Sequence, residues 1–135
     1  MADPNLERGG EARRPSYTVA AATRLLPILT KVLRSLQLEL SGATDESATR
    51  RVEETASHNG GSAAASAMLQ AGERVRQQMT FLSEHGILLR DLGSGLVDFP
   101  AEREGRAVFL CWRLGEATIG YWHRRDQGFV NREPL

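Results

Sequence analysis

The chain has 135 residues, 41% hydrophobic and 25% charged, and its 17 Lys and Arg balance 17 Asp and Glu, so it has no net charge at neutral pH. That length suits one domain with a real core and is short for two, and that composition excludes a wholly disordered chain and a membrane protein. The charges also cancel locally, five of each sign over 18–60 and six basic against five acidic over 101–135, which leaves no electrostatic footprint for nucleic acid.

Residues 1–16 read as a disordered tail ahead of a single domain over 17–135. Met1 to Pro15 is polar and rich in Gly and Arg, without the apolar stretch of roughly 7–15 residues that a secretory signal needs. The longest apolar runs, such as Ala107 to Trp112, are far below the ~20 residues of a spanning helix. A single cysteine, Cys111, forms no internal disulfide, and cytoplasmic residence with no membrane contact is expected.

A first helix is predicted over 18–41. Val19, Ala22, Leu26, Leu29, Leu33, Leu36 and Leu40 recur at alternating spacings of three and four, the heptad pattern of a coiled-coil seam, and Leu25, Ile28 and Val32 widen the apolar face. Thr18 is the candidate N-cap and Ser41-Gly42 the candidate stop. Pro27 falls inside the pattern, where a kink or a helix restarted at Pro27 is expected. Residues 42–57 hold few large apolar side chains, and their charged part could extend helix one as a solvated arm, which Asn59-Gly60-Gly61 should end. A second helix is predicted over 63–85, with Met68, Ala71, Val75, Met79 and Leu82 on one stripe and Gly86 as its C-terminal cap. Gly72 within it would permit close approach of another backbone. Two such stripes pack most economically antiparallel.

After Gly86 the period shortens. Ile87 to Leu92, Leu96 to Phe99, Arg106 to Trp112 and Thr118 to Arg124 have strand length and are separated by Gly-containing turns. The predicted fold class is therefore α+β, a long antiparallel helical hairpin followed by a small antiparallel β-meander of three to four strands. Pro100 should end its strand or lie on an edge.

The strings Gly95-Leu96-Val97-Asp98-Phe99-Pro100-Ala101, Leu110-Cys111-Trp112-Arg113-Leu114-Gly115-Glu116 and Gly120-Tyr121-Trp122-His123, with Asp91-Leu92 and Gly128-Phe129, closely resemble the bacterial and archaeal family termed domain of unknown function 2203. Thr18-Val19-Ala20-Ala21-Ala22 and Leu25-Leu26-Pro27 look like that family's opening helix, so the resemblance runs from about Tyr17 to Leu135. The family usually carries Glu in the first helical turn, where this chain has Ala20 and Ala21, which leaves the amides at that terminus less well compensated. The resemblance implies no activity that can be transferred.

The residues themselves offer four candidate chemistries. Cys111 and His123 are the pair that would suggest nucleophilic catalysis. If Gly115-Glu116 forms a two-residue hairpin, Cys111 lies opposite Gly120 and His123 opposite Val108, so their side chains point to opposite faces and a dyad is disfavoured. Asp98, His123 and Asp126 could hold a divalent metal, the one cofactor under consideration, against the plainer role of His123 as a hydrogen-bond donor to a carboxylate or carbonyl. Asp91 and Asp98 read as turn-stabilising side chains or as an acid pair. Trp112, Tyr121 and Trp122 read as core anchors or as the lining of a pocket for a planar ligand. The ligand-binding candidates are thus Asp98, Arg113, Trp122, His123 and Asp126.

The functional expectation is a non-enzymatic protein-interaction module that forms a homo-oligomer, such as a homodimer, through helices 18–41 and 63–85. The alternative is a small-molecule or divalent-metal-binding domain, perhaps an enzyme, that uses the C-terminal meander. Nucleic-acid binding by a cluster of Arg103, Arg106, Arg113, Arg124, Arg125 and Arg132 is a third and weaker alternative.

Overall fold

The computed structural model describes residues 16–44 and 62–135. The expected tail, Ser16 apart, and residues 45–61 lie outside the described residues. Two helices, α1 (Val19–Thr44) and α2 (Ser62–Glu84), precede β1 (Leu88–Asp91), β2 (Leu96–Arg103), β3 (Arg106–Arg113), β4 (Tyr121–Arg124) and β5 (Glu133–Pro134). The strands form one antiparallel sheet in the order β1-β2-β3-β4-β5, so the fold is α+β with a helical hairpin and a β-meander. Among the described residues no helix is long and apolar enough to cross a membrane. The chain divides into two compact units, Pro27–Phe81 and the remainder, with the division falling inside α1 and inside α2.

The start of α1 is the expected one: the Thr18 hydroxyl accepts a hydrogen bond from the Ala21 amide at 3.0 Å, satisfying one of the orphan donors of the first turn. Ala22, Leu26, Leu29, Leu33 and Leu36 are buried, while Val19 and Leu40 at the two ends of the stripe are exposed. The helix is not restarted at Pro27 but runs through it. Pro27 and Thr23, whose carbonyl loses its usual amide partner there, both stand on the exposed side of the helix, where water can replace the missing bond. Nor does Ser41-Gly42 stop α1, which continues to Thr44.

Within the unit Pro27–Phe81, Ser35 of α1 meets Gln78 of α2, and Glu39 meets Arg74. Four residues forward on one helix correspond to four back on the other, the signature of an antiparallel hairpin. Leu29, Leu33 and Leu36 are its fully buried side chains. The stripe expected on α2 is only partly inward: Ala71 and Val75 are half-buried, but Met68 and Met79 are exposed. Gly72 permits no close approach, since a Cβ there would meet nothing within 4 Å. It simply faces outward. At the C-terminal end of α2, Gly86 takes φ +65° and the Ile87 amide donates to the Leu82 carbonyl at 2.9 Å, the glycine cap that the sequence predicts.

In the sheet, β2 is longer than expected and continues through Pro100 to Arg103. Pairing with β1 ends at Leu88 opposite Asp98, so beyond that point the outer side of β2 is locally an edge, where a proline is tolerated. Tyr17 takes this vacant side. Its amide donates to the Pro100 carbonyl at 2.7 Å, its hydroxyl donates to the His85 carbonyl, and its ring meets Phe99 edge-on with centroids 5.2 Å apart. The fifth strand, two residues long and ending in proline, carries no periodic signal that the sequence could have offered.

Candidate functional site

Alternation along the strands sorts the meander into two faces. Val97, Phe99, Val108, Leu110 and Trp112 form the apolar one. The other receives Asp98 and Pro100 from β2, Phe109 and Cys111 from β3, and Tyr121 and His123 from β4. His123 lies opposite Phe109, and Cys111 opposite Tyr121. This corrects the expected register by one residue and places Cys111 and His123 on the same face rather than on opposite faces. The cause is the connection: Arg113 to Glu116 does make a turn, with the Glu116 amide bonded to the Arg113 carbonyl, but the chain then continues through the buried Ile119 before entering β4 at Tyr121. A one-residue shift turns every β4 side chain over.

Asp98 and His123 are the buried polar side chains among the described residues, each 2% exposed. Asp98 Oδ1 lies 2.9 Å from His123 Nε2, and Asp98 Oδ2 accepts from Arg90 Nε at 2.8 Å. His123 Nδ1 lies 2.8 Å from the carbonyl oxygen of Arg124. That oxygen can only accept, so Nδ1 carries a hydrogen. The Nε2 contact with Asp98 then needs one more hydrogen between the two side chains. Both carboxylate oxygens and both ring nitrogens are thereby engaged.

Cys111, 1% exposed, completes the cluster: one ligand-type atom each from Asp98, Cys111 and His123 lie within 4.8 Å of one another. Burial pushes the thiol up from an ordinary 9.0 to about 11, and the charge of Asp98 pushes the same way against Arg132. A nucleophilic thiolate is thus held back, and the base it would need already has both nitrogens occupied. For a divalent cation the donor set is Asp98, Cys111 and His123, with Asp126 outside it. A cation there would meet a guanidinium already on Asp98 and a second one near Cys111, so these residues as arranged do not fit one.

Guanidiniums cover this face. Arg90 and Arg125 lie over the Phe109 ring at 5.1 and 4.7 Å, and Arg132 lies over Tyr121 and Phe129 at 3.9 and 4.2 Å. Arg132 also makes a two-pronged contact with Glu116, both arms 3.1 Å long. Arg113, a sequence candidate, is exposed above Phe129 at 5.1 Å and is not part of the Asp98 cluster. Asp91 takes the structural role: its carboxylate accepts from the Ser94 amide and hydroxyl at 3.1 and 2.5 Å, which lowers its pKa.

The remaining candidates, Trp122 and Asp126, belong to a different place. They help line an open hollow of about 630 Å³ on the apolar side of the sheet near the β2–β3 turn, together with Arg103, Arg106, Val108 and Arg124. Arg90 was missed by sequence reasoning because its register against Asp98 depends on an irregularity between Leu89 and Asp91, for which a lone arginine in a short strand gives no signal.

No curated protein and no solved structure matches the chain. A family model described as an uncharacterized conserved protein (DUF2203) matches residues 16–135, and the chain belongs to that family.

Proposed function

We propose that the protein is a non-enzymatic interaction module that pairs with a second copy of itself through the helical unit Pro27–Phe81. The observation that carries this reading is the apolar surface left outside that unit's core: Ile28, Leu38 and Leu40 on α1 and Met68, Leu69 and Met79 on α2 are exposed, Leu38 and Leu69 to 75%. Met68 and Met79, eleven residues apart, lie on the same side of α2 three turns from each other. So many large apolar side chains on one small unit are the mark of a surface that is covered in use. Met68 and Met79 also give it the adaptable side chains favoured at such surfaces. The occupant is a second copy: the side of α2 that carries Met68, Leu69 and Met79, brought together about a two-fold axis, covers itself. The non-enzymatic part of the reading is supported by the meander cluster, where the imidazole and carboxylate are committed to hydrogen bonds and burial holds the proton on the thiol.

Sedimentation velocity on the full chain tests the proposal. A species of twice the chain mass that dissociates on dilution is expected, and Leu38→Glu with Leu69→Glu should shift it to monomer while the far-ultraviolet circular dichroism stays unchanged. A wild-type protein that sediments as a monomer at every concentration would remove the reading.

A further inference from the structure

The hollow beside the β2–β3 turn gathers arginines. Arg103 and Arg106 are directly opposed in the ladder, and Arg124 is opposed to Val108, two residues further along β3. Three guanidiniums therefore leave the same face of three neighbouring strands. All three are exposed, and among the described residues none forms an ion pair with a carboxylate. The contrast is on the same sheet, where Arg90 is paired with Asp98 and Arg132 with Glu116. Like charges directly opposed across a ladder cost stability. An arrangement that keeps Arg103 against Arg106 and adds Arg124 is relieved by an anion.

Apolar side chains also line the hollow. Val108 is buried and Trp122 half-buried, with the Arg103 guanidinium 4.8 Å from the Trp122 ring centroid. Stacking fixes the plane of that guanidinium and leaves its N–H groups to donate at the rim. A volume of about 630 Å³ lies inside the range of small-ligand sites. Glu104 and Asp126 also line it, and their negative charge weighs more against a long polyanion than against one compact phosphate.

We propose that this hollow binds a small phosphate-bearing molecule with a flat ring, of nucleotide size. Its phosphate is held by Arg103, Arg106 and Arg124 and its ring rests against Trp122 and Val108. Arginine suits this task because its planar fork donates two parallel hydrogen bonds to phosphate oxygens.

Titration calorimetry of the full chain with AMP, inorganic phosphate and a single-stranded oligonucleotide tests the inference. AMP is expected to bind saturably, weakened at least about tenfold by Arg106→Gln with Arg124→Gln and weakened by added salt, but unchanged by Arg113→Gln on the far side of the sheet. Inorganic phosphate should bind at least about tenfold more weakly than AMP, since it lacks the ring. The ligand-free double variant should melt no lower than wild type, because it loses only a repulsion. Absence of saturable AMP binding up to about 10 mM, or binding untouched by the double variant, overturns the proposal. So does phosphate binding as tightly as AMP, a marked fall in melting temperature, or an oligonucleotide that binds more tightly than AMP through the same arginines.

Discussion

At the scale of single residues, the Asp98 carboxylate holds together the polar interior of the meander. It is hidden from water and lies between Arg90 and His123. Its removal would leave two donors without an acceptor, one of them buried. Asp98→Ala is therefore expected to lower unfolding free energy by about 3–5 kcal/mol in urea titrations. Asp98→Asn, which keeps an acceptor for Arg90 and a hydrogen-bonding amide beside His123 Nε2, should cost clearly less. A loss below about 1 kcal/mol for the alanine variant would contradict this picture. Cys111 gives a second, independent handle. Its folded thiol holds its proton to about pH 11 while the unfolded thiol loses it near 9.0. Between those values the unfolded state binds fewer protons, so stability falls with rising pH, at no more than ~1.4 kcal/mol per pH unit from this group. Cys111→Ala should abolish that part of the alkaline slope, read as denaturation midpoints across the interval. The partners of these side chains were only half legible in the sequence. A histidine bonded to a carboxylate and a carbonyl was foreseeable from the residue types, but the identity of the carboxylate, and Arg90 behind it, depended on strand register.

At the scale of elements, what could be read was what repeats. The three-and-four spacing from Ala22 to Leu36 marked the buried side of α1, and the glycines after α2 and between strands marked the turns. What could not be read was how a non-repeating connection adds up. The segment between Arg113 and Tyr121 contains a recognisable turn and then extra chain, and no local preference counts those residues into or out of the ladder. Since strand sides alternate, that one uncertainty reversed the predicted relation of Cys111 to His123 while leaving every strand in place. A different case is Gly95, whose need is local in its backbone angle and tertiary in its contact. It has φ +69°, and a Cβ on it would lie 2.5 Å from the Leu114 Cβ. Gly95→Ala is expected to cost about 2–4 kcal/mol, combining left-handed strain with displacement of Leu114 at the head of that same connection. Thermal unfolding would show it. A variant as stable as wild type would mean that the turn has room to relax.

At the scale of the whole molecule, zero net charge and mixed local charge described the chain truly as an average and hid an unbalanced place among the described residues. Arg103, Arg106 and Arg124 are scattered among acids in sequence and converge only through the pairing of β2, β3 and β4. Leu40, Met68 and Met79 likewise belong to the periodic stripes and yet are exposed, because periodicity records that a residue is apolar and not what covers it. If a second copy covers them, unfolding includes dissociation, and the melting temperature should rise with protein concentration for wild type but not for the Leu38→Glu, Leu69→Glu variant. One small contact has a wider meaning. By donating to Pro100 where β1 gives out, Tyr17 occupies the rim of a strand whose backbone could otherwise recruit a strand from another molecule. The residue just ahead of α1 thus serves, along this stretch of β2, as a guard against edge-to-edge aggregation.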